Sequence, residues 1–158
     1  MYEYPEKEAT KTWEREGVTF SIAQMPLGHY CGYCRFPKRP TIEEGYDGIL
    51  AYVPVHGGLT YAESDADGTM VYGFDCAHSG DDENPERSDI DWLTAECERM
   101  AVGIAVAAEF EEAYLLARDG ETRAATLDAY HDKMRETGAE FVLADNFGAM
   151  INVLCGQL

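Results

Sequence analysis

The sequence predicts one α+β domain. An antiparallel sheet of about five strands over residues 18–76 is packed by a long helix at about 89–117 and by one or two shorter C-terminal helices. Three observations lead there. Apolar residues recur with period two in short segments between Val18 and Cys76, as in half-buried strands. From Ile90 they recur at spacings of three and four, as on one face of a helix. Strands first and helices second is the α+β order, and the connections between strand segments are too short for crossover helices, so neighbours run antiparallel.

Taken in order, residues 1–16 are mostly charged and polar and read as a loose arm or a short helix. Val18, Phe20 and Ile22 alternate with Thr19 and Ser21, a first strand. Pro26-Leu27-Gly28 is a turn, and Tyr30–Phe36 is a second strand with Tyr30, Gly32, Cys34 and Phe36 on one face. Pro37-Lys38-Arg39-Pro40 is a rigid basic loop. Ile49–Val55, rich in β-branched and aromatic residues, reads as a third strand, with Pro54 marking an edge or an end. After the His56-Gly57-Gly58 turn, Leu59–Glu63 and Thr69–Cys76 form a hairpin around Ser64-Asp65-Ala66-Asp67-Gly68.

Ser88 and Asp91 resemble a capping box with Asp in place of Glu. The long helix behind them carries Ile90, Leu93, Cys97, Met100, Ile104 and Ala108 in one stripe. Asp119-Gly120 breaks it. A second helix presents Leu127, Tyr130 and Met134 on one face and stops at Gly138. Phe141–Leu143 is open to a strand, and Asp145 to the cap of a last helix ending at Gly156.

Thirty acidic residues against twelve basic ones leave a net charge of −18. Such a surface repels phosphate backbones and anionic bilayers, which argues against nucleic-acid and membrane partners. No apolar run approaches the ~20 residues of a membrane span. The acid excess fits solubility, a binder of a basic protein surface, or a carboxylate-rich metal protein. Five cysteines, an odd number, follow a start, Met1-Tyr2-Glu3-Tyr4-Pro5-Glu6, that lacks the features of a secretory signal. The expected setting is reducing and cytoplasmic.

The segments Val55-His56-Gly57-Gly58 and Asp75-Cys76-Ala77-His78-Ser79-Gly80-Asp81 hold two of the four histidines and two aspartates. Both lie where a strand runs into a glycine-containing loop, and the hairpin brings them to the same end of the sheet. Imidazole and carboxylate suit zinc, manganese or iron, so His56, Asp75, His78 and Asp81 are candidate ligands of a divalent metal. The same four are candidate catalytic groups, acting as acid, base and orienting carboxylate in hydrolysis. They also have structural uses: Asp75 can satisfy loop amides, and His78 or Asp81 can cap the turn before the long helix.

Cys76 is no nucleophile on this reading. It shares the apolar face of Met70, Tyr72 and Phe74, where burial raises a thiol pKa. Cys31 and Cys34 fall on opposite faces of one strand and cannot pinch one ion. Arg35, Lys38 and Arg39 form the densest basic cluster and are a candidate anion site. The Ser64–Gly68 segment lacks the distal Glu of a calcium loop and reads as a turn.

The pair His56-Gly57-Gly58-Leu59-Thr60-Tyr61 and Gly73-Phe74-Asp75-Cys76-Ala77-His78 resembles a family of small proteins of bacteriophages, prophages and their bacterial hosts. There a valine-histidine-glycine-glycine segment precedes a glycine-phenylalanine-aspartate-cysteine-alanine-histidine segment. The resemblance is most specific across residues 46–100, including Tyr46-Asp47 and Glu96-Cys97-Glu98. Position 79, often alanine there, is serine here. The resemblance implies an intracellular mobile-element origin and no particular reaction. The expectation is therefore a small accessory protein with a His/Asp site for a metal or small polar ligand, open to hydrolysis. The alternative is an acidic inhibitor, of nucleic-acid-mimic or anti-defence type, that covers a basic surface on a host or defence protein.

Overall fold

The computed structural model describes residues 9–137. Five strands, β1 (Lys11–Arg15), β2 (Val18–Gln24), β3 (Tyr30–Phe36), β4 (Tyr61–Ser64) and β5 (Met70–Asp75), lie in the order β1-β2-β3-β5-β4. Every neighbouring pair is antiparallel. Two helices follow, α1 (Ile90–Leu116) and α2 (Gly120–Thr137). The α+β class and the antiparallel sheet stand as expected. No helix among the described residues is long and apolar enough to cross a membrane.

Alternation builds the core. Phe20, Ile22, Cys34, Phe36, Met70, Tyr72 and Phe74 point to one sheet face and are at most 1% exposed. Burying each large side chain contributes roughly 1.5–3 kcal/mol. The other face carries a smaller cluster of Ala23, Met25, Cys31, Tyr33 and Val71. Cys31 and Cys34 thus lie on opposite faces. Helix α1 packs on β2 and β3, while α2 and the chain around residues 49–52 cover its far side. It is therefore buried all round from Met100 to Ala107, more than a single stripe. Its small residues permit this: at Gly103 a β-carbon would stand 2.8 Å from Val53 Cγ1. Tyr130 of α2 donates to the Gly103 carbonyl at 2.9 Å. Leu127 and Met134 complete the predicted α2 face.

Three expectations need correction. The sheet begins at Lys11, inside the segment read as a loose arm or short helix. Lys11, Trp13 and Arg15 alternate inward, and each meets α1 or β2. Trp13 stacks on Phe20 with ring centroids 5.1 Å apart. Arg15 and Trp13 donate to Glu98 at 2.8 and 3.3 Å, and Lys11 donates to Thr94 at 2.9 Å. Glu16 and Gly17, at φ 51° and 82°, make the two-residue turn into β2.

Ile49–Val55 is not a strand. Ile49–Tyr52 is a 3₁₀ turn. Adjacent Ile49 and Leu50 are both buried, with Val53 and Val55, against the helical layer. A strand would send Ile49 and Leu50 to opposite faces. The α1 cap is Asp89 rather than Ser88; its carboxylate accepts from Asp91 N at 2.8 Å and Trp92 N at 3.2 Å. The rest of the predicted arm (residues 1–8), the stop at Gly138, the Phe141–Leu143 strand and the helix ending at Gly156 lie outside the described residues.

Candidate metal centre

Two loops at one end of the sheet build the site. The first leaves the 3₁₀ turn and reverses at His56-Gly57, where Gly58 N donates to Val55 O at 2.9 Å. The second leaves β5. Asp75 accepts from Ala77 N at 3.0 Å, and Gly80 takes φ 89° to enter a short 3₁₀ turn that starts at Asp81.

These turns bring His56, His78 and Asp81 together. One ligand atom from each lies within 4.8 Å of the others, the cluster among the described residues that can hold an ion. His56 Nε2 stands 2.9 Å from Asp81 Oδ1 and 3.0 Å from Oδ2. The His56 and His78 rings are 5.4 Å apart at 68°. Ligand atoms around a tetrahedral zinc sit about 3.3 Å apart for bonds of ~2.0 Å. The His56–Asp81 pair is already at that spacing, and His78 needs to move by roughly 1.5 Å at most. Asp75 stands one step out, with Oδ1 3.4 Å from His78 Nε2. That Nε2 is buried and has no hydrogen-bond partner.

Asp81 is the hub. Its side chain is 6% exposed. It accepts from His78 N at 2.8 Å, from His56 Nε2, and from Arg87 Nε at 3.3 Å. Burial works to raise its carboxyl pKa, but the bonds from His56 and His78 outweigh it and hold the pKa below the ordinary 3.8. Asp81 is therefore an anion at neutral pH, as a metal ligand must be. The bond to His78 N is also the turn cap that the sequence allows.

Three neighbours complete the site, and sequence reading missed them as site residues. Glu96 of α1 is buried and accepts from His56 N at 2.8 Å, which pins the histidine loop to the helix. Trp92, one turn earlier, meets the His56 ring at 5.6 Å. The Arg87 guanidinium lies over Trp92, 4.3 Å from the ring centroid. Glu96 falls in the Glu96-Cys97-Glu98 stretch already noted, but nothing local ties it to His56, 40 residues away.

Other candidates stay apart from this cluster. Arg35 pairs with Asp65 of the hairpin turn, and Arg39 pairs with Glu44 at 2.8 Å. Lys38 is exposed. These local partners draw on the proposed anion site. Cys76 is 4% exposed, and burial, reinforced by Asp81, pushes its thiol up to about 12. The Ser64–Gly68 segment is a hairpin turn in which Gly68 N donates to Asp65 O at 3.0 Å.

No family model, curated protein or solved structure matches the chain. The chemistry of the site therefore rests on its own geometry. Two imidazoles and a carboxylate are a donor set that zinc, manganese and iron accept. Three protein ligands leave coordination positions for water or substrate.

Proposed function

We propose that this chain is a small accessory protein that holds one divalent transition-metal ion through His56, His78 and Asp81 and presents it for hydrolytic chemistry. The observation that carries the reading is the approach of three ligand atoms, from loops 25 residues apart, to within 4.8 Å of one another. The orphaned Nε2 of His78 supports it, as does the anionic state of Asp81. His56 Nε2 and Asp81 are joined by a hydrogen bond, so an ion bound to Nε2 would require the imidazole proton on Nδ1. Asp75 Oδ1 stands 3.4 Å from His78 Nε2 and adds negative charge beside the ion's position. When bound, such an ion would supply an acidified water as the nucleophile for hydrolysis. From the resemblance of the two histidine segments we also propose a mobile-element origin and a reducing, cytoplasmic setting.

The test is metal content by elemental mass spectrometry on tag-free chain purified without chelator. Wild type is expected to carry close to one ion per chain. The His56→Ala/His78→Ala double variant, checked for folding by circular dichroism, is expected to carry none. A folded, metal-free wild type that takes up no zinc, manganese or iron on dialysis overturns the reading.

One observation favours a second reading. The chain carries −18, and basic side chains such as Arg15, Arg35, Arg39, Lys133 and Arg135 are each already set against a carboxylate. The remaining acid surface suits a basic protein partner, with binding that weakens steeply with salt. Under this reading the double variant keeps its function, and reversal of several surface acids removes it.

A further inference from the structure

A cleft of about 430 Å³ opens beside the cluster, and His56, Glu86, Arg87, Trp92, Glu96 and Arg99 line it. Two of the chain's eight arginines converge on it. Neither is drawn into a tight pair with a carboxylate there. Arg87 NH1 lies 3.7 Å from Glu86, and Arg99 NH1 lies 3.9 Å from Glu96. Arg87 is fixed by other means: its Nε donates to Asp81, and its plane lies over Trp92. A guanidinium held in this way keeps its outer nitrogens for an oxyanion, and the loss of side-chain entropy has already been met.

The charges decide when an anion enters. Glu86 and Glu96 balance Arg87 and Arg99 along the cleft wall, and Asp81 behind them adds one negative charge. Asp75 beside His78 adds another, so the empty site is net negative by two. A divalent ion on His56, His78 and Asp81 neutralises that excess. The repulsion that keeps an anion from the two arginines is then removed.

From this geometry we infer that the cleft binds the phosphoryl group of a small phosphorylated molecule, with Arg87 and Arg99 as its donors, and only when the metal is present. The inference rests on the metal reading above and names the ligand class of the cleft that His56 joins to that site. The size suits it. A cleft of this volume falls in the usual range for small-molecule sites. A long polyanion is disfavoured by the overall charge of −18.

Two readouts on the full chain keep the two ideas separate. Loss of the free Mn²⁺ electron paramagnetic resonance signal measures metal binding. Equilibrium dialysis with radiolabelled inorganic phosphate, with and without Mn²⁺, measures the anion. Wild type is expected to bind Mn²⁺, and to retain phosphate only when Mn²⁺ is present. Arg99→Met is expected to keep Mn²⁺ binding and to lose phosphate affinity by about tenfold or more, as when a charge-assisted hydrogen bond is removed. Arg87→Met is expected to lose phosphate affinity and also to weaken Mn²⁺ binding, because Asp81 loses its Nε donor. Arg99 is half exposed, so its variant leaves a readable result if Arg87→Met fails to fold. Bound Mn²⁺ with unchanged phosphate affinity in Arg99→Met overturns the inference and spares the metal reading. So does equal phosphate retention by wild type without metal. Failure of wild type to bind Mn²⁺, zinc or iron overturns both.

Discussion

Gly57 lies against the ring of His78 so closely that a β-carbon there would stand 2.6 Å from Cδ2 and nearer still to Nε2. Neighbouring Gly58 faces open space, yet the two share a left-handed backbone, at φ 70° and 78°. Alanine at either position therefore carries a similar backbone cost of about 1 kcal/mol. Only Gly57→Ala also displaces the imidazole. Metal titration of the two variants should give about tenfold or greater weakening for Gly57→Ala and near-wild-type affinity for Gly58→Ala. Equal affinities would mean that His78 does not need its present position.

Glu96 acts on the site through the backbone of His56. Glu96→Ala leaves the His56 N–H without its partner and should lower unfolding stability by about 1–3 kcal/mol. It should also weaken metal binding about tenfold, because the histidine loop is no longer tied to α1. Glu96→Gln keeps an acceptor oxygen and should recover most of both losses. Urea titration followed by metal titration of the refolded variants checks both effects. A Glu96→Gln variant as damaged as Glu96→Ala would point to charge rather than to positioning.

The four cysteines among the described residues should be inert in the native state. Burial, the largest cause in each case, pushes the Cys31 thiol up to about 11 and Cys76 up to about 12. Cys34 and Cys97 are raised as well. At pH 8 a thiol at about 11 is ionised to only about one part in a thousand. Iodoacetamide should then leave these four unlabelled in folded protein and label them in urea, as read by peptide mass spectrometry. The sign for stability follows. The folded state keeps protons that the unfolded chain releases above the ordinary 9.0, so the contribution is whole below pH 9 and is lost as pH rises toward 11–12. The melting temperature should decline across that window. Rapid labelling of Cys76 at pH 8 would reopen its case as a nucleophile.

Gly32 sits where β3 meets α1. A β-carbon there would lie 2.8 Å from Phe74 Cζ and would overlap the Cys97 thiol. Gly32→Ala should destabilise by roughly 1–3 kcal/mol through overpacking. Gly32→Ala combined with Cys97→Ala, which clears the helix side of the clash, should recover part of that loss in chemical denaturation. No recovery would place the strain on Phe74 alone.

Where interactions are local, the residues announce the structure. Val18–Gln24 and Tyr30–Phe36 are read correctly because alternation is set by the pleat itself, and α1 because its apolar spacing follows the helical repeat. Cys31 and Cys34 on opposite faces, and Cys76 in the core, follow from the same geometry. The grouping of His56 with His78 and Asp81 was legible as two polar loops at one sheet end.

Elsewhere the deciding partner is distant in the chain. Lys11–Arg15 looks like a solvated arm until Glu98 and Thr94 of α1 take its polar groups and Phe20 takes Trp13. Ile49–Val55 has strand composition, but a continuous apolar run carries no period, and packing against the helices settles it. The same reason hides Glu96, Trp92 and Arg87 from a reading of the histidine segments. Their contacts with His56 and Asp81, and the cleft they line, exist only once α1 has docked beside the loops. Periodicity reports which face of an element is buried. It carries no information about which residue of another element will stand opposite, and that is what the site required.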